Sequence, residues 1–254
     1  MIVAAHGWPS PRIFALIVLA MIFARTAGMT FNRLADWEID KLNPRTAQRH
    51  NLISRRGAIA LLLGSSIAFV FTCCFINRPC LYFSGIALLV IFFYSLTKRF
   101  TAGSHFVLGL ALSLSPVGAW LAVRGRIDAP PLVLAGAVAL WVAGFDLIYA
   151  TQDAEFDRAA GLHSLVVRLG VSRSLKAAQG LHAAMWMLLA AFGWSAGLGA
   201  AFTGGLLLIL PALVYEHLTA RKLDLAAINR AFFLSNAFVG LVFVAAVTAD
   251  RMAG

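Results

Sequence analysis

Two short segments of the sequence carry polar residues whose types and spacing suit metal-dependent chemistry. The first set, which we call the first ladder, consists of Asn32, Asp36 and Asp40. The second set, which we call the second ladder, consists of Asp146, Tyr149, Asp153 and Asp157. Residues spaced by three or four share one face of a helix, where neighbouring carboxylates repel each other unless a cation lies between them. Each ladder therefore predicts a bound cation.

The composition indicates an integral membrane protein. Of the 254 residues, 61% are hydrophobic and 13% are charged, and the mean hydropathy is +0.83. Ordinary soluble domains are about 45 to 50% apolar. The net charge of +10 would suggest nucleic acid as a partner in a soluble protein, but in a membrane protein it is first explained by topology. We therefore expect the lipid bilayer, and no nucleic acid, as a partner.

The elements that must position the ladders are predicted to be transmembrane helices. Apolar stretches close to the roughly 20 residues needed to cross a bilayer recur along the whole chain. The predicted fold class is all-α, a polytopic transmembrane bundle that forms a single domain over residues 1–254. Its eight predicted spans cover residues 13–31, 57–76, 81–97, 103–123, 131–152, 177–195, 200–217 and 230–249.

The basic residues predict which side of the membrane each ladder faces. Most of the 21 Lys and Arg residues fall in loops on the same side as both ladders. Arg25 lies inside the first span. The opposite side carries Arg12, Arg78, Arg124, Arg126 and Arg251. Because basic residues are enriched in cytoplasmic loops, we expect the ladders to face the cytoplasm from a plasma membrane.

Asp146 has the most costly position of the candidate residues. It lies about two turns inside the fifth span, where an unpaired charge costs at least ~2.5 kcal/mol on insertion scales. A functional role is therefore the default hypothesis for this carboxylate. The alternative is a buried charge pair with an arginine of a neighbouring helix.

A third polar group completes a site for a phosphate ester. Tyr94, Lys98 and Arg99 end the third span on the same side as the ladders. Carboxylates without His or Cys suit Mg²⁺, which binds a few of them together with substrate phosphates, and basic side chains neutralise the remaining phosphate charge. An isoprenoid diphosphate would use both this site and the apolar bundle. Departure of diphosphate would leave an allylic cation for an electron-rich acceptor, in a cavity that excludes water.

The ladders are similar to the two signatures of the UbiA family of intramembrane aromatic prenyltransferases. The first ladder matches N-x-x-x-D-x-x-x-D, and the second, with Ala150, matches D-x-x-Y-A-x-x-D-x-x-x-D. The resemblance covers nearly the whole chain and looks most like the bacterial 4-hydroxybenzoate polyprenyltransferase branch. Further resembling segments are residues 43–49, 94–100, 104–109, 115–120, 168–170 and 215–218.

The resemblance implies a role for each candidate residue. The implied catalytic residues, which hold Mg²⁺ and diphosphate, are Asp36, Asp40, Asp153 and Asp157. Asn32 supports the first ladder, and Arg25 is implied to bind the carboxylate of the aromatic acceptor, with a snorkelling arginine as the alternative. The implied substrate-binding residues are Arg25, Asn32, Arg45, Tyr94, Lys98, Arg99, Asp146 and Tyr149.

The implied reaction is Mg²⁺-dependent transfer of a polyprenyl group from polyprenyl diphosphate to an aromatic hydroxy acid of the 4-hydroxybenzoate type, in quinone biosynthesis. An alternative is the same reaction on a dihydroxynaphthoate, in menaquinone biosynthesis. The sequence of Glu155, Phe156 and Asp157 makes the chain resemble that second set of proteins slightly more. A transporter is the alternative of another class. Transporters often contain inverted repeats, whereas the two ladders end helices that run in the same direction.

The number of spans departs from the family pattern. The resembling proteins usually have nine helices and an N-terminus inside, whereas eight spans are predicted here with both ends outside. We therefore expect that the first helix is missing, through a start codon chosen too late or an incomplete chain, and an inactive family scaffold is a further alternative. The prenyl chain length depends on how far the apolar tunnel extends between the helices.

Overall fold

The computed structural model describes residues 1–42 and 52–253, and every regular element in these ranges is a helix. In chain order the elements are α1 (Ile2–Ala5), α2 (Pro11–Ala35), α3 (Trp37–Leu42), α4 (Arg55–Ile76), α5 (Arg78–Thr97), α6 (Ser104–Arg124), α7 (Ala129–Ala150), a 3₁₀ turn (Thr151–Asp153), α8 (Ala154–Ala159), α9 (Leu165–Leu169), α10 (Val171–Ser195), α11 (Ala200–Ala220) and α12 (Leu225–Ala253). The all-α fold class is confirmed.

Eight of these helices coincide with the eight predicted spans, but seven segments in the described ranges are both long and apolar enough to cross a membrane. The eighth helix, α10, has 25 residues and is more polar near its start, where Lys176, Gln179 and His182 interrupt the apolar pattern. Large side chains such as Leu89, Trp194 and Leu241 are exposed on the outside of the bundle. An apolar outer surface is what contact with lipid requires.

Local sequence sets where the long helices begin and end. Ser10 and Ser54 cap α2 and α4 by accepting hydrogen bonds from the Ile13 and Gly57 amides, which would otherwise lack helical partners. Asn77 caps α5 by accepting from the Cys80 amide at 2.8 Å. Gly125 ends α6 with a φ of +69°, a left-handed conformation that glycine adopts without a steric penalty.

Small residues allow the helices beside the second ladder to pack closely. A Cβ atom at Gly109 of α6 would overlap the Ala139 carbonyl oxygen of α7. A Cβ atom at Gly144 of α7 would overlap the His182 ring of α10. Glycine at both positions therefore brings α7 into contact with a helix on either side, as small residues do in membrane bundles.

Helix ends meet on the face of the bundle that carries the ladders. The Arg99 guanidinium, after α5, donates to the Ala35 carbonyl at the end of α2. The His163 amide donates to the Lys98 carbonyl at 2.9 Å, which docks the loop before α9 on the end of α5. A side-chain hydrogen bond of 3.2 Å joins the end of α7 to α12, from Gln152 to Asn229. These contacts gather the ends of four long helices around the candidate residues.

Candidate active site

The first ladder lies on a nearly continuous helical path that leaves the membrane. Asn32 occupies the last turn of α2, Asp36 follows its last residue, and Asp40 lies on α3. The Asp40 amide donates to the Asp36 carbonyl at 2.7 Å, so helical hydrogen bonding continues across the junction. The Asn32 side-chain amide lies 3.5 Å from Asp36 Oδ2. The local helix therefore holds the ladder residues on one side, as their spacing predicts.

Basic residues from the end of α5 approach the first ladder. Arg99 Nη2 lies 3.6 Å from Asp36 Oδ1, and the Asp36 side chain is 18% exposed. Burial raises the pKa of Asp36, and the charge of Asp40 raises it further, whereas Lys98 and Arg99 lower it. The pKa remains above the usual aspartate value, because two basic side chains do not fully offset desolvation and carboxylate repulsion. An additional cation would favour the charged form of this site.

The second ladder crosses a change of helix type. Asp146 and Tyr149 lie on α7, Asp153 ends the 3₁₀ turn, and Asp157 lies on α8 with only 5% of its surface exposed. The predicted fifth span, 131–152, therefore extends two residues beyond the α7 helix of the structure. The tighter turn and the short α8 carry the last two aspartates beyond the end of α7.

Tyr94 of α5 lies near one carboxylate of each ladder. Both Asp36 of the first ladder and Asp146 of the second lie within electrostatic reach of its hydroxyl group. Lys98 and Arg99 lie on the first-ladder side, near Asp36. The second ladder's Tyr149 packs against Phe232 of α12, with ring centroids 5.1 Å apart.

Asp146 has a partner that the sequence analysis did not identify. Its Oδ2 atom lies 2.6 Å from Nδ1 of His105, which stands in the first turn of α6 and is completely buried. Within the described residues, the charge partner of Asp146 is thus a histidine rather than an arginine. The position of His105 within the resembling segment 104–109 was the only sequence signal for this pair, because contact between two helices depends on their packing.

The two other predicted substrate-binding arginines are Arg25 and Arg45. Arg25 is on α2, seven residues before Asn32, and its side chain is exposed. Arg45 falls within residues 43–51, which lie outside the described residues. Their implied roles stay predictions.

The carboxylates of the two ladders suit an Mg²⁺ ion that is bound by the protein and the substrate together. The ladder donors are carboxylate oxygens, the ligand type that Mg²⁺ prefers. Within the described residues no three His, Cys, Asp or Glu side chains form a ready-made metal site. Because Mg²⁺ usually binds one or two carboxylates plus substrate phosphates and waters, two separate carboxylate pairs suit an ion that arrives with a diphosphate.

Comparison with known proteins gives matches over nearly the full chain. Residues 1–237 match the model of the UbiA prenyltransferase family. A 4-hydroxybenzoate octaprenyltransferase of Vibrio cholerae is 33% identical over 97% of this chain and 87% of its own length. Another of that name, from Nitrosospira multiformis, is 30% identical over 98% of this chain and 86% of its own.

Solved structures with the same fold include a UbiA homolog from Aeropyrum pernix K1 in its apo form. That structure is 30% identical, has a TM-score of 0.88, and the match covers 98% of this chain and 93% of its own. A UbiA homolog from Archaeoglobus fulgidus, solved with GPP and Mg²⁺, is 22% identical with a TM-score of 0.68, over 95% of this chain and 89% of its own.

Proposed function

Because the chain belongs to the UbiA prenyltransferase family, we propose that it transfers a polyprenyl group from a polyprenyl diphosphate to an aromatic hydroxy acid of the 4-hydroxybenzoate type. The relatives that carry this activity in their names are 30 to 33% identical over nearly the whole chain. The observation that carries the proposal is that Asp36 of the first ladder and Asp146 of the second both lie within electrostatic reach of the Tyr94 hydroxyl group. Family membership also argues against the transporter alternative.

Each ladder has a part in binding the diphosphate. Asp36 and Asp40 from the first ladder, and Asp153 and Asp157 from the second, would hold Mg²⁺. When bound, Mg²⁺ would stabilise the negative charge that develops on the departing diphosphate. Lys98 supplies a further positive charge beside the first ladder, and this charge-assisted contact orients the diphosphate.

Arg99 has a different part from Lys98 in this proposal. Its guanidinium is already held by the Ala35 carbonyl and lies 3.6 Å from the Asp36 carboxylate. It therefore keeps Asp36 in place and offsets part of the repulsion between Asp36 and Asp40. Lys98 is left as a nearby cation for phosphate oxygens.

The reaction itself breaks the allylic C–O bond, and the electron pair leaves with diphosphate. A ring carbon of the acceptor forms the new C–C bond to the allylic carbon, and the ring then loses a proton. The chain's contribution is to hold the two substrates in contact and to exclude water, which would otherwise capture the allylic cation. The Tyr149 and Phe232 rings add apolar surface beside the second ladder.

We also propose that the ladder face is cytoplasmic in a bacterial inner membrane. The multi-pass helices and the family place the chain in a membrane. The side assignment rests on the excess of Lys and Arg in the loops beside the ladders. Labelling of single cysteines introduced at Glu38 and at Arg126 in intact cells tests it, in a chain whose Cys73, Cys74 and Cys80 are first replaced by serine. Only the Arg126 position should react with an impermeant reagent.

The decisive experiment offers membranes containing this chain a polyprenyl diphosphate with 4-hydroxybenzoate, and separately with a dihydroxynaphthoate. We expect a prenylated benzoate by mass spectrometry, formed only with Mg²⁺. A prenylated naphthoate alone would replace the acceptor with the menaquinone alternative. No prenylated product with either acceptor would reject the proposed function.

A further inference from the structure

His105 is buried but contacts the candidate site directly. The His105 side chain is 0% exposed, whereas the Asp146 side chain is 22% exposed. The short 2.6 Å contact between His105 Nδ1 and Asp146 Oδ2 therefore joins a fully enclosed ring to a carboxylate that borders open space. A hydrogen bond to a carboxylate is stronger and more directional than a neutral one.

The packing of α6 on α7 fixes this contact in place. Gly109, one turn after His105, lies so close to the Ala139 carbonyl that a Cβ atom there would overlap the oxygen. A larger residue would push the two helices apart and separate His105 from Asp146. The rigidity of the ring thus comes from the backbone contact beside it.

The position of Asp146 separates it from the diphosphate groups. It precedes Asp153 by seven residues on α7 and the turn that follows, which corresponds to about 10 Å along a helix. A carboxylate without a cation beside it would repel diphosphate. It suits a hydrogen-bond donor instead, and the hydroxyl group of an aromatic acceptor is such a donor.

We infer that His105 is a positioning residue for prenyl transfer, which orients the Asp146 carboxylate towards the acceptor. The inference rests on the proposed function. His105 Nδ1 donates to Asp146 Oδ2. Asp146 forms no other hydrogen bond with residues 1–42 or 52–253. The second oxygen is thereby left to receive a hydrogen bond from the acceptor hydroxyl. His105 does not touch either substrate.

Two substitutions separate positioning from packing. His105→Leu keeps a similar side-chain volume but removes the donor. His105→Asn loses volume but keeps an N–H group near the place of Nδ1. If His105 orients Asp146, the asparagine variant is the more active of the two, and if it only fills space, the leucine variant is.

The measurement is steady-state kinetics in membranes containing equal amounts of each variant, with melting in detergent as the folding control. We expect His105→Leu to lower kcat/KM for the acceptor on the order of 10- to 100-fold, the usual effect of losing a hydrogen bond to a charged group. The KM for the prenyl diphosphate should stay within about twofold of the wild-type value. In an Asp146→Ala background, His105→Leu should have little further effect, because the group it orients is absent.

The outcomes distinguish this inference from the proposed function. Absence of prenyl transfer by the wild-type chain would reject the proposed function. A wild-type chain that is active, with His105→Leu equally active or more active than His105→Asn, would overturn the positioning role alone. A parallel rise in the KM for the prenyl diphosphate would also overturn it, since that result would place His105 with the diphosphate-binding residues.

Discussion

The two ladders, which we propose form one site, are held in different ways. Asp36 of the first ladder is approached by basic side chains from another helix, with Arg99 at 3.6 Å. In the second ladder, Asp146 is held by the buried His105 and Asp157 is 5% exposed. The first ladder is thus held mainly by basic side chains from another helix, and the second mainly by contacts with buried groups.

This difference suggests that each ladder is suited to a different substrate. A carboxylate with Lys98 and Arg99 beside it suits a charged ligand that must enter and leave. A carboxylate fixed by an enclosed ring suits close placement of an acceptor deeper in the membrane. The comparison predicts that prenyl transfer requires aspartates of both ladders. It also predicts that each remaining residue affects the kinetics of mainly one of the two substrates.

The largest expected effect is the loss of either ladder's metal-binding carboxylates. Asp36→Ala and Asp153→Ala should each reduce prenyl transfer on the order of 1,000-fold, because each removes a group that holds charge in the transition state. Product formation by mass spectrometry measures this loss. The matched control is Glu38→Ala, which removes an exposed carboxylate between Asp36 and Asp40 that is paired with Lys41 at 3.0 Å.

Full activity of one of these two variants would break the comparison, because a single ladder would then be sufficient. Equal losses in Glu38→Ala would show that the effect is not specific to the ladder face.

A smaller effect is expected at the basic residues of α5. Lys98→Ala should lower kcat/KM for the prenyl diphosphate on the order of 10- to 100-fold through loss of a charge-assisted contact. Arg99→Ala should lower it less, since Arg99 is held by the Ala35 carbonyl and Asp36. Steady-state kinetics with Lys41→Ala as the control measures both. A larger loss in Arg99→Ala would reverse the assignment of the two cations.

Substitution of Arg25 tests binding of the aromatic acceptor. Arg25→Ala should weaken binding of the aromatic acid and so raise the acceptor KM by about tenfold, as expected for loss of a carboxylate partner. The KM for the prenyl diphosphate should be unchanged. An acceptor that lacks the carboxylate provides the matched control, because it should bind the wild-type chain and the variant equally. If the donor KM rises more than the acceptor KM, the implied role of Arg25 is wrong.

The smallest expected effect is at Asn32. Its amide lies 3.5 Å from Asp36 Oδ2, a long separation for a hydrogen bond. Asn32→Ala should therefore reduce the rate only about two- to tenfold, the usual effect of a neutral contact, and raise the Mg²⁺ concentration needed for half-maximal rate. A loss as large as that of Asp36→Ala would indicate that Asn32 contacts the metal or the diphosphate itself.

The sequence predicted the long helices well because their signals are local. Residues 57–76 and 103–123 were predicted as spans, and the corresponding helices are Arg55–Ile76 and Ser104–Arg124. Apolar runs of membrane length and polar breaks are sufficient for such predictions. The short helices α3, α8 and α9 lie outside the eight predicted spans, because isolated helices of five or six residues depend on docking rather than on propensity.

The candidate site was predictable in part for the same reason. The spacing within each ladder is local, and it predicted the shared helical faces. The Asp146–His105 pair joins residues 41 positions apart, so it depends on the close approach of α6 and α7 at Gly109. The role of Arg99 as a partner of Asp36 likewise depends on how the end of α5 packs against the end of α2.

Binding of a prenyl diphosphate in the absence of acceptor tests the central claim most directly. The wild-type chain, Asp36→Ala and Asp153→Ala would be compared for binding with and without Mg²⁺. If both ladders form one diphosphate site, the wild-type chain binds only with Mg²⁺ and each variant loses that Mg²⁺-dependent binding. Wild-type affinity in either variant, or tight binding without Mg²⁺, would contradict the account.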